Sequence, residues 1–292
     1  MRIAHLFLSS AAAVIVSTAA FAAHAQAPSA SGSGLPAFNW TGPYVGVNAG
    51  YDFDGATRTD RTTGALPNNT GALALNLRPT SHNVHGSGFT GGAQVGYNYQ
   101  MGSRFTWGGA GLVMGAEADA QYTDIHRTDT LSNTTLYGPL DTPGAPPTTR
   151  VNQYKGDLNF LGTVRGRLGF AYDNVLIYGT GGYAYGDVER RVTYYGPNAP
   201  TTPFFTGESN GMRSGFVYGG GVEIAVPTSS FLNRLNFFHS SGVTIKAEYL
   251  HYDLGADTLN MPGVNGGATI GGYTTRVRTD GDLVRAGINY KF

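Results

Sequence analysis

Apolar and polar residues alternate strictly over 283–292, LVRAGINYKF. Val284, Ala286, Ile288, Tyr290 and Phe292 share one face, and Arg285, Gly287, Asn289 and Lys291 share the other. A period of two predicts a strand. Seven further segments follow the same rule, at 43–53, 89–99, 112–122, 158–170, 175–185, 216–226 and 243–253. In 43–53, Val45, Val47, Ala49, Tyr51 and Phe53 oppose Tyr44, Gly46 and Asn48. In 158–170, Phe160, Val164, Leu168 and Phe170 oppose Asn159, Thr163, Arg165 and Arg167. The segment 175–185 is less regular, with Gly and Tyr on both faces. Each stretch is close to the roughly 9–11 residues that a tilted strand needs to cross a bilayer.

The connections alternate as well. Long polar stretches follow strands one, three, five and seven, at about 54–88, 123–157, 187–215 and 254–281, rich in Thr, Asn, Pro, Gly and Asp. Shorter ones follow strands two, four and six, with Tyr172-Asp173-Asn174 the tightest and 100–111 and 227–242 longer than a minimal turn. Four loops this long count against a compact soluble domain. They fit a membrane barrel with short turns on one side and long loops on the other. The expected fold is all-β: an eight-stranded antiparallel transmembrane β-barrel with four long extracellular loops.

The same parity sorts the charges. Glu117, Asp119, Glu223 and Glu248 fall on inner faces, with Arg165, Arg167, Lys246, Arg285 and Lys291. The central spans of the outer faces are nearly free of charge, as they must be, since Lys or Arg facing lipid at the midplane costs about 2–4 kcal/mol. Buried charges need partners. The lumen is therefore either a structural ion-pair plug or a narrow polar pore. Eight strands leave an interior that side chains just fill, which favours the plug.

Composition narrows the classes further. Lys+Arg equals Asp+Glu at 19 each, so no basic face points to nucleic acid. Forty-four glycines and 33 Tyr plus Phe suit closely packed strands. The absence of Cys excludes disulfides and thiolate metal sites. Residues 1–25 have the form of a secretory signal: Arg2, an apolar small-residue run, and Ala23-His24-Ala25 at the cleavage position. Residues 26–38, QAPSASGSGLPAF, read as a flexible lead-in. The barrel is expected over 39–292, with no stretch of 18 apolar residues after the leader to form a spanning helix.

Three stretches carry a family resemblance. They are Phe38-Asn39-Trp40-Thr41-Gly42-Pro43-Tyr44-Val45-Gly46, then Gly179-Thr180-Gly181-Gly182-Tyr183-Ala184-Tyr185-Gly186, and the closing strand. The mature chain resembles the alphaproteobacterial outer-membrane immunogenic proteins, a porin-like family of small barrels related in architecture to OmpA-type eight-stranded barrels. The resemblance implies an outer-membrane location, lipids and lipopolysaccharide as neighbours, and a structural or surface-antigen role rather than one reaction. The ending also resembles the C-terminal signal of outer-membrane barrels. That resemblance assigns Arg285, Gly287, Tyr290 and Phe292 to recognition by the barrel-insertion machinery.

Other motifs have weaker contexts. Gly207-Glu208-Ser209-Asn210-Gly211 satisfies GxSxG but lacks the strand before it and the helix after it. Gly179, Gly181 and Ala184 fit GxGxxA without a βαβ unit. His82 and His85, three apart, are candidates for haem or metal, and otherwise solvated histidines. His251 with Tyr249 and Tyr252 falls where an aromatic girdle belongs. His239-Ser240 resembles the His/Ser pairs of outer-membrane lipid hydrolases, on the side opposite to that chemistry. No carboxylate pair has catalytic spacing. The reading is a non-enzymatic barrel without a cofactor; the alternatives are a small porin or haem-binding uptake protein, and a lipid-modifying barrel enzyme. The residues name no ligand for the loops.

Overall fold

Antiparallel pairing runs around the whole sheet and returns to its start. The computed structural model describes residues 38–101, 106–107, 110–135, 144, 146–227, 240–265 and 271–292, all within the unit Ala37–Phe292. The proposed leader 1–25, most of the lead-in and His239 lie outside these residues. The strands are β1 (Gly42–Gly64), β2 (His82–Gln100), β3 (Thr106–Trp107), β4 (Ala110–Thr135), β5 (Thr148–Tyr172), β6 (Val175–Gly196), β7 (Ala199–Ala225), β8 (Gly242–Pro262) and β9 (Gly272–Lys291). β2 pairs with both β1 and β4, each later long strand pairs with the next, and β9 pairs with β1. Eight long strands thus close into a barrel in which every long strand has two partners, and the two-residue β3 lies against the start of β4.

The outer wall carries the apolar alternation. Val47, Val95, Val164, Leu168, Ile177 and Val284 are exposed. Aromatic residues bound this band at both ends, Tyr51, Phe89, Tyr122 and Phe216 at one and Tyr99, Phe170 and Tyr172 at the other. On β2 the band runs from Phe89 to Tyr99, about 25 Å in height at the usual rise and tilt. An apolar belt of that size has no place on a water-facing surface. Among the described residues no helix is long and apolar enough to cross a membrane.

The strands do not stop where the apolar alternation stops. They run 19–27 residues, about twice the crossing length. Most of what reads as long polar loop in the sequence is continued ladder: 187–215 is a hairpin whose tip is Pro197-Asn198, with Asn198 at φ 53°. The connection 65–81 holds the chain's one described helix, α1 (Pro67–Ala74). The physical reason is an inversion of polarity at constant parity. Beyond the membrane band the outside meets water, so outward residues become polar and inward ones apolar. Tyr154, Val192, Tyr194, Phe205, Leu259, Met261, Tyr273 and Val277 fill this part of the barrel. A β-bulge between Leu158 and Phe160 shifts the register there. It turns Leu158 inward and leaves Asn159 exposed rather than on the inner face its spacing predicts.

Candidate functional site

Among the described residues, ionisable side chains converge in number in the lumen. The inward parity of β4, β5, β7, β8 and β9 brings Glu117, Asp119, Arg165, Arg167, Glu223, Lys246, Glu248 and Arg285 together, all of them buried. Four carboxylates thus meet four cations. Arg165 lies 2.9 Å from Asp119 and 3.0 Å from Glu248, and also contacts Glu117. Arg285 reaches Glu248 at 2.6 Å and Asp119 at 3.0 Å. Lys246 Nζ donates to Glu117 at 2.8 Å, and Arg167 pairs with Glu223 at 2.6 Å. Such ions are tolerated in a dry interior only when charge balances and the remaining lone pairs are used.

Neutral groups supply those remaining bonds. Tyr44 Oη donates to Glu117 at 2.7 Å while accepting from Arg167 at 2.7 Å. Thr244 and Asn289 donate to Glu223, Thr163 to Asp119 and Tyr178 to Glu248. The Arg167 guanidinium also stacks 3.9 Å from the centre of the Tyr178 ring. Glycine makes the crossing possible. Gly96 is the cross-strand partner of both Tyr44 and Glu117, and a Cβ on it would sit 2.3 Å from Tyr44 Oη.

Lys291, the last residue of β9, stays out of the network. Its Nζ lies 5.7 Å over the Phe38 ring at the short-turn rim, one layer too far along the barrel. Of the proposed terminal signal, Arg285 is an ion-pair member and Gly287 faces Lys246 and Asn48 across the two neighbouring strands. Tyr290 is buried at 8% exposure, not open on the lipid face as its spacing predicts, whereas Phe292 is 53% exposed.

Apolar and polar layers lie on both sides of the ions. Toward the short turns Trp40 is buried against Val113, Ala171, Leu176, Tyr178 and Ala225, with the Phe38 ring edge-on at 4.9 Å. Its backbone N–H donates to Gln100 Oε1 at 3.0 Å. Toward the long hairpins come Leu158, Leu161, Val188, Leu250, Leu254 and Leu283, then Asp52 with Tyr252 and Arg127, then Arg190 bonded to Thr279. Last is the segment after α1. Arg78 donates to Val151 O, Asn152 Oδ1 and Tyr195 O and covers the Tyr194 ring at 4.7 Å. The sequence pattern misses Asp52, Arg78, Arg127 and Arg190. Asp52 already falls on the inner parity of 43–53, and Arg127 emerges from carrying strand parity past the apolar band; Arg78 sits on a connection and carries no period.

Among the described residues, the remaining motif residues do not assemble a site. His82 and His85 have opposite parity on β2: His82 Nε2 donates to the Asp129 carboxylate at 2.8 Å on the inner side, and His85 is exposed on the outer wall. The two rings do not converge on one ligand. Ser209 lies within β7, donating to Asp257 and accepting from Arg213, with no imidazole in its contacts among the described residues. Among the described residues no three His, Asp or Glu side chains group as metal ligands.

Residues 13–292 match the family model described as the outer membrane protein beta-barrel domain. The 31 kDa outer-membrane immunogenic protein of Brucella melitensis biotype 1 is 28% identical over 300 residues, which covers 99% of this chain and 97% of that protein. The 22 kDa outer membrane protein of Rhizobium leguminosarum bv. viciae is 26% identical over 222 residues, covering 76% and 75%. Neither name states a reaction. Among solved structures, the outer membrane protease OmpT from Escherichia coli aligns over 85% of this chain and 97% of that one, at 10% identity and a TM-score of 0.34.

Proposed function

The chain belongs to the outer membrane protein beta-barrel family of the outer membrane, and from that premise we propose a closed, non-enzymatic barrel with a structural, surface-exposed role. Its long hairpins face the medium and its short turns the periplasm. The observation that carries this reading is the filling of the lumen. A charge-balanced layer of buried ion pairs is enclosed between Trp40 at one end and the Arg78 segment at the other. Rigid hairpins standing above the membrane are the parts open to other molecules, and the Brucella relatives are named as immunogenic. The apolar band meets outer-membrane lipids, and the strand ending at Phe292 is read by the insertion machinery.

Liposome swelling tests the closed lumen. Proteoliposomes of the refolded mature protein should swell in small sugars no faster than empty ones. Swelling that falls with sugar size would instead identify a pore. Antibody binding to the hairpin 187–215 on intact cells tests the surface role; binding only after the outer membrane is permeabilised would reverse the topology.

A further inference from the structure

On the outer wall above the apolar band, β1 and β9 set arginine opposite arginine twice. Arg58 is the cross-strand partner of Arg278, and Arg61 that of Arg276. Thr59, Thr62 and Val277, their neighbours along the two strands, are buried on the inner side, so the four guanidinium groups leave outward. Like charges directly opposed weaken a sheet pair. Two of the four have carboxylate partners, Arg58 with Asp280 at 3.0 Å and Arg278 with Asp253 at 3.4 Å. Arg61 and Arg276 are exposed and have no ion-pair partner among the described residues; Asp60 beside Arg61 pairs with neither. On the outer face the flanking strands bring no further acid to this level, placing Asn83 opposite Arg58, Ala256 opposite Arg278 and Thr258 opposite Arg276; Asp257, opposite the buried Val277, shares the inward parity and pairs with Arg213.

Height above the membrane selects the anion. Val284 is paired with Tyr51 of the aromatic boundary. From Val284, β9 climbs to Arg278 and then Arg276, about 15 and 20 Å along the barrel axis at the usual rise and tilt. The headgroup layer of a phospholipid extends only about 5–7 Å beyond the hydrocarbon. Its phosphate lies below the reach of Arg61 and Arg276. Phosphates carried on a saccharide that projects from the leaflet lie at the right level, and paired guanidinium forks suit phosphate oxygens.

We propose that the Arg61–Arg276 pair binds phosphate groups on the sugar headgroup of an outer-leaflet glycolipid of the lipopolysaccharide type. The inference rests on the long hairpins facing outward, not on whether the lumen is closed. It also gives the like-charge pair a function: the ligand neutralises it.

The test is thermal unfolding of the refolded mature protein in detergent, with and without purified lipopolysaccharide. The wild type should gain several degrees with lipopolysaccharide, and little with lipopolysaccharide stripped of phosphate, with phosphatidylglycerol, or with inorganic phosphate. The double variant Arg61→Thr/Arg276→Thr should melt above the wild type in plain detergent and lose most of the ligand-induced shift. A variant shifted as far as the wild type would overturn the site. Equal shifts with phosphatidylglycerol or inorganic phosphate would overturn the glycolipid as its ligand. Orientation is read separately, by labelling Thr63→Cys in intact cells with a membrane-impermeant maleimide, in a chain with no other cysteine.

Discussion

Arg165 and Glu248 meet at 3.0 Å although they stand on β5 and β8, three strands apart around the barrel. The pair bridges the lumen rather than running along its wall. With Arg285 and Glu117 it ties opposite sides of the barrel to one another, in a layer of buried side chains.

Replacing Arg165 by Met should therefore be costly. It strips one cation from Glu117, Asp119 and Glu248 at once and leaves buried negative charge without compensation. The expected loss is about 3–5 kcal/mol, read by urea unfolding of the refolded barrel in detergent. A loss under about 1 kcal/mol, within the range of exposed pairs, would contradict the burial.

The glycines on β2 should differ sharply in tolerance. A Cβ at Gly96 meets Tyr44 Oη at 2.3 Å, and one at Gly91 meets nothing nearer than 3.9 Å. Gly96→Ala should cost about 1–3 kcal/mol by overpacking, while Gly91→Ala should be close to neutral. Unfolding curves of the two variants decide it.

His126 provides a pH signature above the membrane band. Hydrogen bonding to Asp157 at 3.0 Å raises its pKa above 6.5, outweighing a small cost of burial, and Asp124 adds to the effect. The sign follows from the raised value. The stabilisation is fully present below the unfolded pKa near 6.5 and is lost as pH rises through the higher folded value. NMR titration of the His126 ring should give a midpoint above 6.5 that returns toward it in Asp157→Asn. An unchanged midpoint in that variant would sink the pairing.

Much of this architecture was legible in alternation alone, because in a membrane the outer face must be apolar and the inner one polar. Parity placed Glu117, Arg165, Lys246 and Arg285 in the lumen without a structure. It could not show that Arg165 reaches across to Glu248, since the pairing depends on how far each side chain extends through the interior. The apolar alternation ends at residues such as Phe53 and Tyr185 while the strands continue, because the inversion of polarity beyond the band resembles the end of a strand. The segment 175–185 gives no clean face because Tyr178 points inward to Glu248 while Tyr183 is exposed outward, so tyrosines occupy both sides. Trp40 lies in a recognisable opening motif, but nothing in its spacing announces that it is buried inside the short-turn end.

Phe292 should matter more for assembly than for the finished barrel. With its side chain 53% exposed, it contributes less than the roughly 1.5–3 kcal/mol of a fully buried aromatic. Phe292→Ala should lower outer-membrane levels strongly in cells yet still refold in detergent to a form that migrates differently before and after heating. Normal surface levels of that variant would remove Phe292 from the insertion signal.

Planar-bilayer recording is the most direct measurement of whether the ion-pair layer closes the lumen. Purified mature protein, shown by heat-modified migration to be folded, should insert without producing conductance steps at moderate voltage in about 1 M salt, where screening is strongest. Reproducible single-channel steps from the wild type, with unitary size proportional to salt concentration, would contradict a lumen sealed between Trp40 and Arg78.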